Sequence, residues 1–350
     1  KERKMQQKKE EEKRKKEEKM KKREIGNSGI EASVISLGTW AMGGDEQWGA
    51  VDDDSSLKAI FEAVDRGINL IDTAPAYGFG HSEELVGKVL KEFPREKLVI
   101  ETKCGVWWKT DEGTPIVTRD GKTIRRNLSR KAMLTEVDDS LRRLGVDHID
   151  IYVTHQQPME PFMVEIGEIM DTLKELKKAG KIRAIGISNA SREQFDEYRG
   201  FGQIDLIQER FSMLDDKKMK GLFPVCREDK ITTQAYSPLE QGLLTGKIRM
   251  DYQVEPGNVR NKIPWFAPEK RRPVLDMLDS WTDLCEKYDC NTVNLVIAWS
   301  VNAGDTMNVI CGGRKPAHVA DYIKGGELTL AAEDILRMNR DIAKVTGGSL

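Results

Sequence analysis

Eight short runs rich in β-branched residues alternate with longer amphipathic segments, and this alternation limits the fold more than any other feature of the chain. Short apolar runs predict buried strands, and the segments between them predict helices. Eight strands that are each followed by a helix predict a single α/β domain, a (β/α)8 TIM barrel over residues 20–350. The runs lie at 34–40, 68–74, 98–104, 149–155, 182–188, 206–212, 231–237 and 307–313.

A doubly wound open sheet is the alternative fold for alternating strands and helices. That fold usually places a G-x-G-x-x-G turn after its first strand, whereas the first run here ends in GTWAMGG. Before this run the sequence predicts a β-hairpin around Asn27-Ser28-Gly29, expected at the bottom of the barrel. Two connections, at 106–127 and 247–272, are unusually long and are expected to form loops on the catalytic rim.

Residues 1–19 differ in composition from the rest of the chain. They hold ten basic, six acidic and one apolar side chain, without a heptad pattern. We interpret them as a charged extension outside the fold, either a solvated or disordered segment or an addition upstream of a natural start near Met20. A coiled coil or a nucleic-acid-binding arm is the alternative.

Charge and composition argue against several classes of function. A net charge of −2 gives no electrostatic reason to expect nucleic acid or an anionic membrane as a partner. No apolar stretch is long enough to span a bilayer, and the N-terminus has no apolar region of a secretory signal. Five scattered cysteines predict reduced thiols and a cytoplasmic location, and four scattered histidines predict no metal site.

Four polar side chains follow three of the predicted strands: Asp72 and Tyr77, Lys103, and His155. The carboxyl ends of barrel strands share one rim, so these side chains are expected to converge. An adjacent ammonium lowers the pKa of a tyrosine, and a carboxylate holds that ammonium in place, so the set can protonate a developing alkoxide. Taken singly, each has an ordinary alternative: a structural ion pair, a turn aromatic, or a hydrogen-bonded histidine at a strand end.

Six motifs in chain order resemble the aldo-keto reductases, especially the branch with bacterial sugar and aldehyde reductases and potassium-channel β-subunits. They are IDTAPAYGFGHSEELVGKVL, ETKCG, DIYVTHQQP, IRAIGISN, QAYSPLEQGLLTGK and VICGGRKP, and the resemblance covers residues 20–346. It implies NADPH-dependent reduction of an aldehyde or ketone. Tyr77 would be the general acid, Lys103 would lower its pKa, Asp72 would hold Lys103, and His155 would orient the carbonyl oxygen.

The resemblance also implies where the cofactor, NADP(H) with NAD(H) as the alternative, would lie across the barrel rim. Arg314 would bind the 2′-phosphate of NADPH, although it could also be a solvated surface residue. Ser188 and Asn189 could form an ordinary helix cap instead. The family's usual proline is Cys311 here, and its Gln and Asn contacts to the adenine end fall on His318 and Tyr322. The implied cofactor residues are Gly38, Thr39, Trp40, Ser188, Asn189, Gln208, Tyr236, Ser237, Pro238, Leu239, Gly242, Gly312, Gly313, Arg314, His318 and Asp321.

Tryptophans near the rim predict an apolar or sugar-stacking substrate pocket formed by Trp40, Trp107, Trp108 and Trp265. The expected partner is a small-molecule carbonyl compound. The same residues could serve an NAD(P)-dependent sugar or polyol dehydrogenase, or a regulatory barrel that senses the cofactor.

Overall fold

The computed structural model describes residues 20–44 and 48–348, so the predicted extension at 1–19 lies outside the described part. Eight parallel strands close into a barrel in chain order, which confirms the predicted (β/α)8 fold and each predicted strand. The barrel strands are β1 (Ile35–Gly38), β2 (Leu70–Asp72), β3 (Val99–Cys104), β4 (Ile149–Thr154), β5 (Ile182–Ser188), β6 (Leu206–Arg210), β7 (Thr232–Tyr236) and β8 (Met307–Gly312).

Most of the helices around the barrel carry one apolar face, which packs inward. The segment Thr292–Val301 is instead apolar on nearly all sides and is buried. Side-chain caps fix some of their starts: Ser129 accepts from the Ala132 N–H, and Ser191 forms a capping box with Gln194. The helices are α1 (Asp53–Asp65), α2 (His81–Leu90), α3 (Arg130–Leu144), α4 (Ile166–Lys178), α5 (Arg192–Phe201), α6 (Lys217–Lys220), α7 (Phe223–Glu228), α8 (Pro268–Asp279), α9 (Thr282–Lys287), α10 (Thr292–Val301), α11 (Pro316–Tyr322) and α12 (Ala332–Thr346). None of the described helices is long and apolar enough to cross a membrane.

The N-terminal hairpin pairs Lys22–Ile25 with Ile30–Ser33 and closes the bottom of the barrel, as the sequence predicts. Gly26 lies at its turn with φ +56°, and its N–H donates to Thr232 Oγ1 at 2.9 Å. A Cβ on Gly26 would come within 2.4 Å of the Asp205 carbonyl oxygen, so the close approach requires glycine. The hairpin and the lower barrel share one buried apolar cluster of Ile25, Ile30, Ala32, Leu70, Val99, Ile151, Val153, Ala184 and Leu206.

The two long connections differ in structure. Residues 106–127 form a three-stranded antiparallel sheet, the rim sheet, from Val106–Trp107, Thr114–Arg119 and Lys122–Arg126. Asp120 and Gly121 turn its hairpin with φ values of 46° and 71°. Residues 247–272 contain two 3-10 turns, and α8 already begins within them at Pro268. Both connections contribute to the cavity at the carboxyl end of the barrel.

Candidate active site

A cavity of about 760 Å³ opens at the carboxyl ends of the barrel strands. Its walls come from the strand ends, the rim sheet and the connection after β7. Seventeen of the residues expected at the site line it: Gly38, Trp40, Asp72, Tyr77, His155, Asn189, Gln208, Tyr236, Ser237, Pro238, Leu239, Gly242, Gly312, Gly313, Arg314, His318 and Asp321.

The structure brings the four expected catalytic residues together. The buried Lys103 ammonium donates to Asp72 Oδ1, to the Thr73 carbonyl oxygen at 2.9 Å and to the Tyr77 hydroxyl at 3.2 Å. These three bonds use all of its N–H donors. The Tyr77 and His155 rings meet edge to face, with centroids 5.7 Å apart. Lys103 therefore sits behind Tyr77, while the phenol and the imidazole face the cavity.

Two glycines fix the turn that carries Tyr77. Gly78 has φ +62°, and a Cβ on it would lie 1.9 Å from the Gly43 carbonyl oxygen. The Tyr77 turn therefore packs backbone to backbone against the segment after β1. The Trp40 ring, from the same segment, lies 6.4 Å from the Tyr77 ring. This packing fixes the position of the Tyr77 hydroxyl at the carboxyl end of the barrel.

The Tyr77 hydroxyl stays protonated at neutral pH because its side chain is enclosed by the protein. Enclosure of the side chain raises the pKa of Tyr77 to about 12, with Lys103 lowering it and Asp72 raising it. Lys103 acts in the expected direction, but desolvation outweighs it. Burial would lower the pKa of Lys103, yet Asp72 and Tyr77 raise it above its ordinary value, so the amine stays charged.

His155 is neutral at physiological pH. Desolvation, followed by repulsion from Lys103, lowers the pKa of His155 from 6.5 to about 3. A neutral imidazole can donate or accept a hydrogen bond, but it has no proton to lose as an acid at pH 7. Of the two groups facing the cavity, Tyr77 is therefore the one with an acidic proton.

Two expected cofactor residues, Thr39 and Ser188, are buried and do not line the cavity. The Thr39 amide and hydroxyl both donate to the Asp72 carbonyl oxygen, at 3.0 and 2.9 Å. The Ser188 carbonyl oxygen accepts from Gln157 Nε2 at 2.7 Å. Both residues support the backbone beside the site.

Asn189 links three barrel strands at the rim. Its Nδ2 donates to the His155 carbonyl oxygen at 2.8 Å, and its Oδ1 accepts from the Tyr236 hydroxyl at 2.7 Å. Asn189, Ser237 and Gln241 all line the cavity with positive φ, at 55°, 59° and 49°. Non-glycine residues with positive φ are uncommon and cluster at functional sites.

Basic side chains line the part of the cavity beyond β7 and β8. Arg314 Nη1 donates to the Trp48 carbonyl oxygen at 3.0 Å, and Lys247 forms an ion pair with Asp321. Arg260 Nε donates to the Gln241 carbonyl oxygen at 2.9 Å. Trp48 and Arg260 were not predicted as site residues, because no sequence pattern indicates that the segments carrying them pack against the cavity.

Two buried polar atoms on this wall, Trp48 Nε1 and Gln241 Oε1, have no hydrogen-bond partner among the described residues. The Trp48 N–H and the cations suit an anionic group of a ligand, and Gln241 Oε1 suits one of its hydroxyl or amide donors. The half-buried Tyr236 ring supplies a flat surface at the other end. The residues present therefore fit a nicotinamide dinucleotide. In the described ranges, no cluster of three or more His, Cys, Asp or Glu side chains could hold a metal ion.

Of the four tryptophans expected in the substrate pocket, the structure places only Trp40 on the cavity wall. Trp107 is buried with Lys109 Nζ 5.2 Å from its ring, and Trp108 packs on Phe79 at 5.2 Å. Trp265 packs against the core beside Lys270. Antiparallel pairing places Trp107 at the base of the rim sheet, while the hairpin reaches the cavity. The side chains found there instead are Trp48, Ile116, Val117, Arg119, Ile124 and Arg126.

Comparisons with known proteins agree with this geometry. A family model described as the aldo/keto reductase family matches residues 34–341. A protein named NADH-specific methylglyoxal reductase, from Escherichia coli strain K12, is 42% identical over 326 residues, 93% of this chain and 99% of the relative. Aldo-keto reductase YhdN from Bacillus subtilis strain 168 is 37% identical and covers 90% of this chain and 91% of its own length.

A solved structure titled as a glycerol dehydrogenase from Gluconobacter oxydans superposes with a TM-score of 0.83. It is 32% identical, and the match covers 95% of this chain and 97% of that one. The family model spans most of the sequence, and these relatives are matched over nearly their whole length. The chain therefore belongs to the aldo/keto reductase family of oxidoreductases.

Proposed function

We propose that this oxidoreductase reduces a small aldehyde or ketone to the alcohol with NADPH, and that Tyr77 is the general acid. The observation that carries the proposal is the Tyr77 hydroxyl. It faces the cavity, keeps its proton at neutral pH, and lies 3.2 Å from a buried ammonium. Negative charge that develops on a carbonyl oxygen is stabilised by a donor placed at that oxygen.

The roles of the four residues follow from their protonation states. Reduced nicotinamide would supply the hydride to the carbonyl carbon. Tyr77 donates its proton to the carbonyl oxygen, and the Lys103 ammonium stabilises the tyrosinate that remains. Asp72 keeps Lys103 in place through their ion pair. His155, neutral at this pH, donates a hydrogen bond that orients the substrate oxygen.

The substrate class is a short carbonyl compound. One relative is named for methylglyoxal and the structural neighbour for glycerol, both of which contain three carbons. The name of the second favours alcohol oxidation, which is the alternative direction for the same residues. Rates with methylglyoxal and glyceraldehyde plus NADPH, set against glycerol plus NADP⁺, separate the two directions.

Substitution of Tyr77 tests the proton donor. Tyr77→Phe is expected to lower kcat by roughly 10²- to 10⁴-fold, the usual contribution of a general acid, while NADPH binding measured by fluorescence stays within twofold. Tyr252→Phe, which also removes a phenol oxygen but lies off the cavity wall, is the matched control and should retain full turnover. Wild-type turnover by Tyr77→Phe would refute the assignment.

The preference for NADPH rests on Arg314, whose guanidinium suits the 2′-phosphate. NADH is the competing cofactor: the Escherichia coli relative is named NADH-specific, and Asp321 neutralises Lys247 on the same wall. Wild type is expected to have the higher kcat/KM with NADPH. Arg314→Ala should lower that value about tenfold and leave kcat/KM for NADH unchanged. A wild-type enzyme that prefers NADH would overturn the assignment of NADPH but not the proposed role of Tyr77.

A further inference from the structure

A cluster of amide and carboxyl side chains fills the barrel interior directly beneath the catalytic residues. Glu101 on β3 is fully buried and accepts from Gln208 Nε2 and from Gln234 Nε2, each at 2.7 Å. Gln234 lies on β7, opposite β3 in the closed barrel, so the second contact crosses the barrel axis. Gln234 in turn donates to Asn308 Oδ1 at 3.1 Å.

This cluster, here called the Glu101 cluster, is continuous with the catalytic set. Gln208 Nε2 also lies 3.1 Å from Asp72 Oδ1 and 2.7 Å from Gln234 Oε1, so Glu101, Asp72 and Gln234 share its two N–H donors. The two carboxyl residues are register partners on adjacent strands β2 and β3. Asp72 has the Lys103 ammonium as its cation, whereas both hydrogen-bond donors to Glu101 are neutral amides.

A second buried carboxylate without a cation of its own would be costly in this interior. Burial, followed by repulsion from Asp72, raises the pKa of Glu101 well above its usual range. A protonated carboxyl group still accepts hydrogen bonds on its lone pairs, so both amide contacts are retained. Its O–H then needs an acceptor, and the Asp72 carboxylate, which makes side-chain hydrogen-bond contact with Glu101, provides one.

We propose that Glu101 is a positioning residue for proton transfer, a neutral carboxylic acid that donates its O–H to the Asp72 carboxylate and so holds that carboxylate on Lys103. This role rests on the proposed function of Tyr77. No bond to Glu101 breaks during the reaction, since the proton that moves leaves the Tyr77 hydroxyl for the carbonyl oxygen. An ionised Glu101 would instead add negative charge beside the tyrosinate.

The protonation state of Glu101 is measured by infrared difference spectroscopy on the wild-type chain and Glu101→Gln. We expect the wild type to show a carboxylic-acid C=O band that shifts in D₂O and is lost in Glu101→Gln. Exposed Glu31→Gln is the control and should remove no such band. An unchanged acid band in Glu101→Gln would overturn the proposal. This readout does not require turnover, so it stands apart from the test of Tyr77.

Kinetics measure the positioning role. Glu101→Gln keeps a neutral N–H donor toward Asp72 and is expected to retain kcat within about fivefold, whereas Glu101→Met, which has no donor, should lose at least tenfold in kcat. KM and NADPH affinity should stay within twofold in both. Equal kcat in the Met and Gln variants would overturn the positioning role. If Glu101→Met does not fold, the infrared result and the kcat of Glu101→Gln test the positioning role. A tenfold loss of kcat in Glu101→Gln would also contradict that role.

Discussion

The neutral imidazole of His155 contributes to the pH dependence of the native protein's stability, and one substitution removes that contribution. The native pKa of His155 is about 3, against 6.5 for an ordinary histidine. Between these pH values the unfolded chain binds a proton that the native state does not. Stability rises with pH wherever the unfolded state binds more protons. His155 therefore costs the native state stability as pH falls below 6.5.

The size of the effect at pH 5 follows from the two pKa values. At pH 5 the pH lies about 1.5 units below the pKa of the unfolded histidine but above that of the native one. This difference corresponds to roughly 2 kcal/mol, at about 1.36 kcal/mol per unit. Part of the ring faces the open cavity, where solvent reduces the penalty for charge. The expected loss between pH 7 and pH 5 is therefore about 1 to 2 kcal/mol.

Urea unfolding of the wild type and His155→Gln at pH 7 and pH 5, followed by circular dichroism, measures this loss. The wild type should lose about 1 to 2 kcal/mol more than the variant, because all other titrating groups are common to both. Ile116→Gln, which changes an exposed side chain on the cavity wall that has no titratable group, is the control and should keep the wild-type pH dependence. Equal losses in wild type and His155→Gln would refute the reasoning.

Two further predictions concern the framework of the site. Gly78→Ala forces the Tyr77 turn away from Gly43, so kcat should fall about 100-fold. Gly121→Ala is the control and should leave kcat unchanged, because Gly121 has a similar positive φ but no atom lies within 4 Å of the new Cβ. Equal effects of the two substitutions on kcat would contradict the proposed clash. Ile25→Ala removes a buried side chain from the hairpin plug and should lower the free energy of unfolding by about 2 to 4 kcal/mol without changing kcat at 25 °C. An unchanged urea midpoint would show that the plug contributes little.

The barrel and the convergence of its candidate catalytic side chains were predictable from the sequence for a physical reason. Parallel strands are buried on both faces and read as continuous apolar runs, and their carboxyl ends share one rim. Asp72 ends β2 and Lys103 lies one residue before the end of β3, so locating the strands also locates these side chains. For Asp72 and Lys103 the local sequence pattern is therefore enough to place the side chain in the fold.

The rest of the site depends on connections whose path is set by tertiary packing. The rim sheet turns at Asp120 and Gly121, yet its register decides that Ile116 and Val117 reach the cavity while Trp107 does not. Trp48 and Arg260 come together from distant segments, with the guanidinium 5.9 Å from the indole ring. The pKa shift of Tyr77 could not be predicted from the sequence either. Its direction depends on the balance between enclosure and nearby charges, which only the folded barrel defines.

The barrel interior is divided into an apolar lower layer and a polar upper layer, and the division matters for proton transfer. Ile25 and Ile30 of the hairpin cover the lower layer, and Lys103 and Glu101 above it are fully buried. Charges that water does not reach interact more strongly, which lets one ammonium influence Tyr77 and His155 at once. The same isolation would make an unpaired carboxylate costly. The plug at the bottom of the barrel and the protonation of Glu101 are therefore two parts of one electrostatic arrangement.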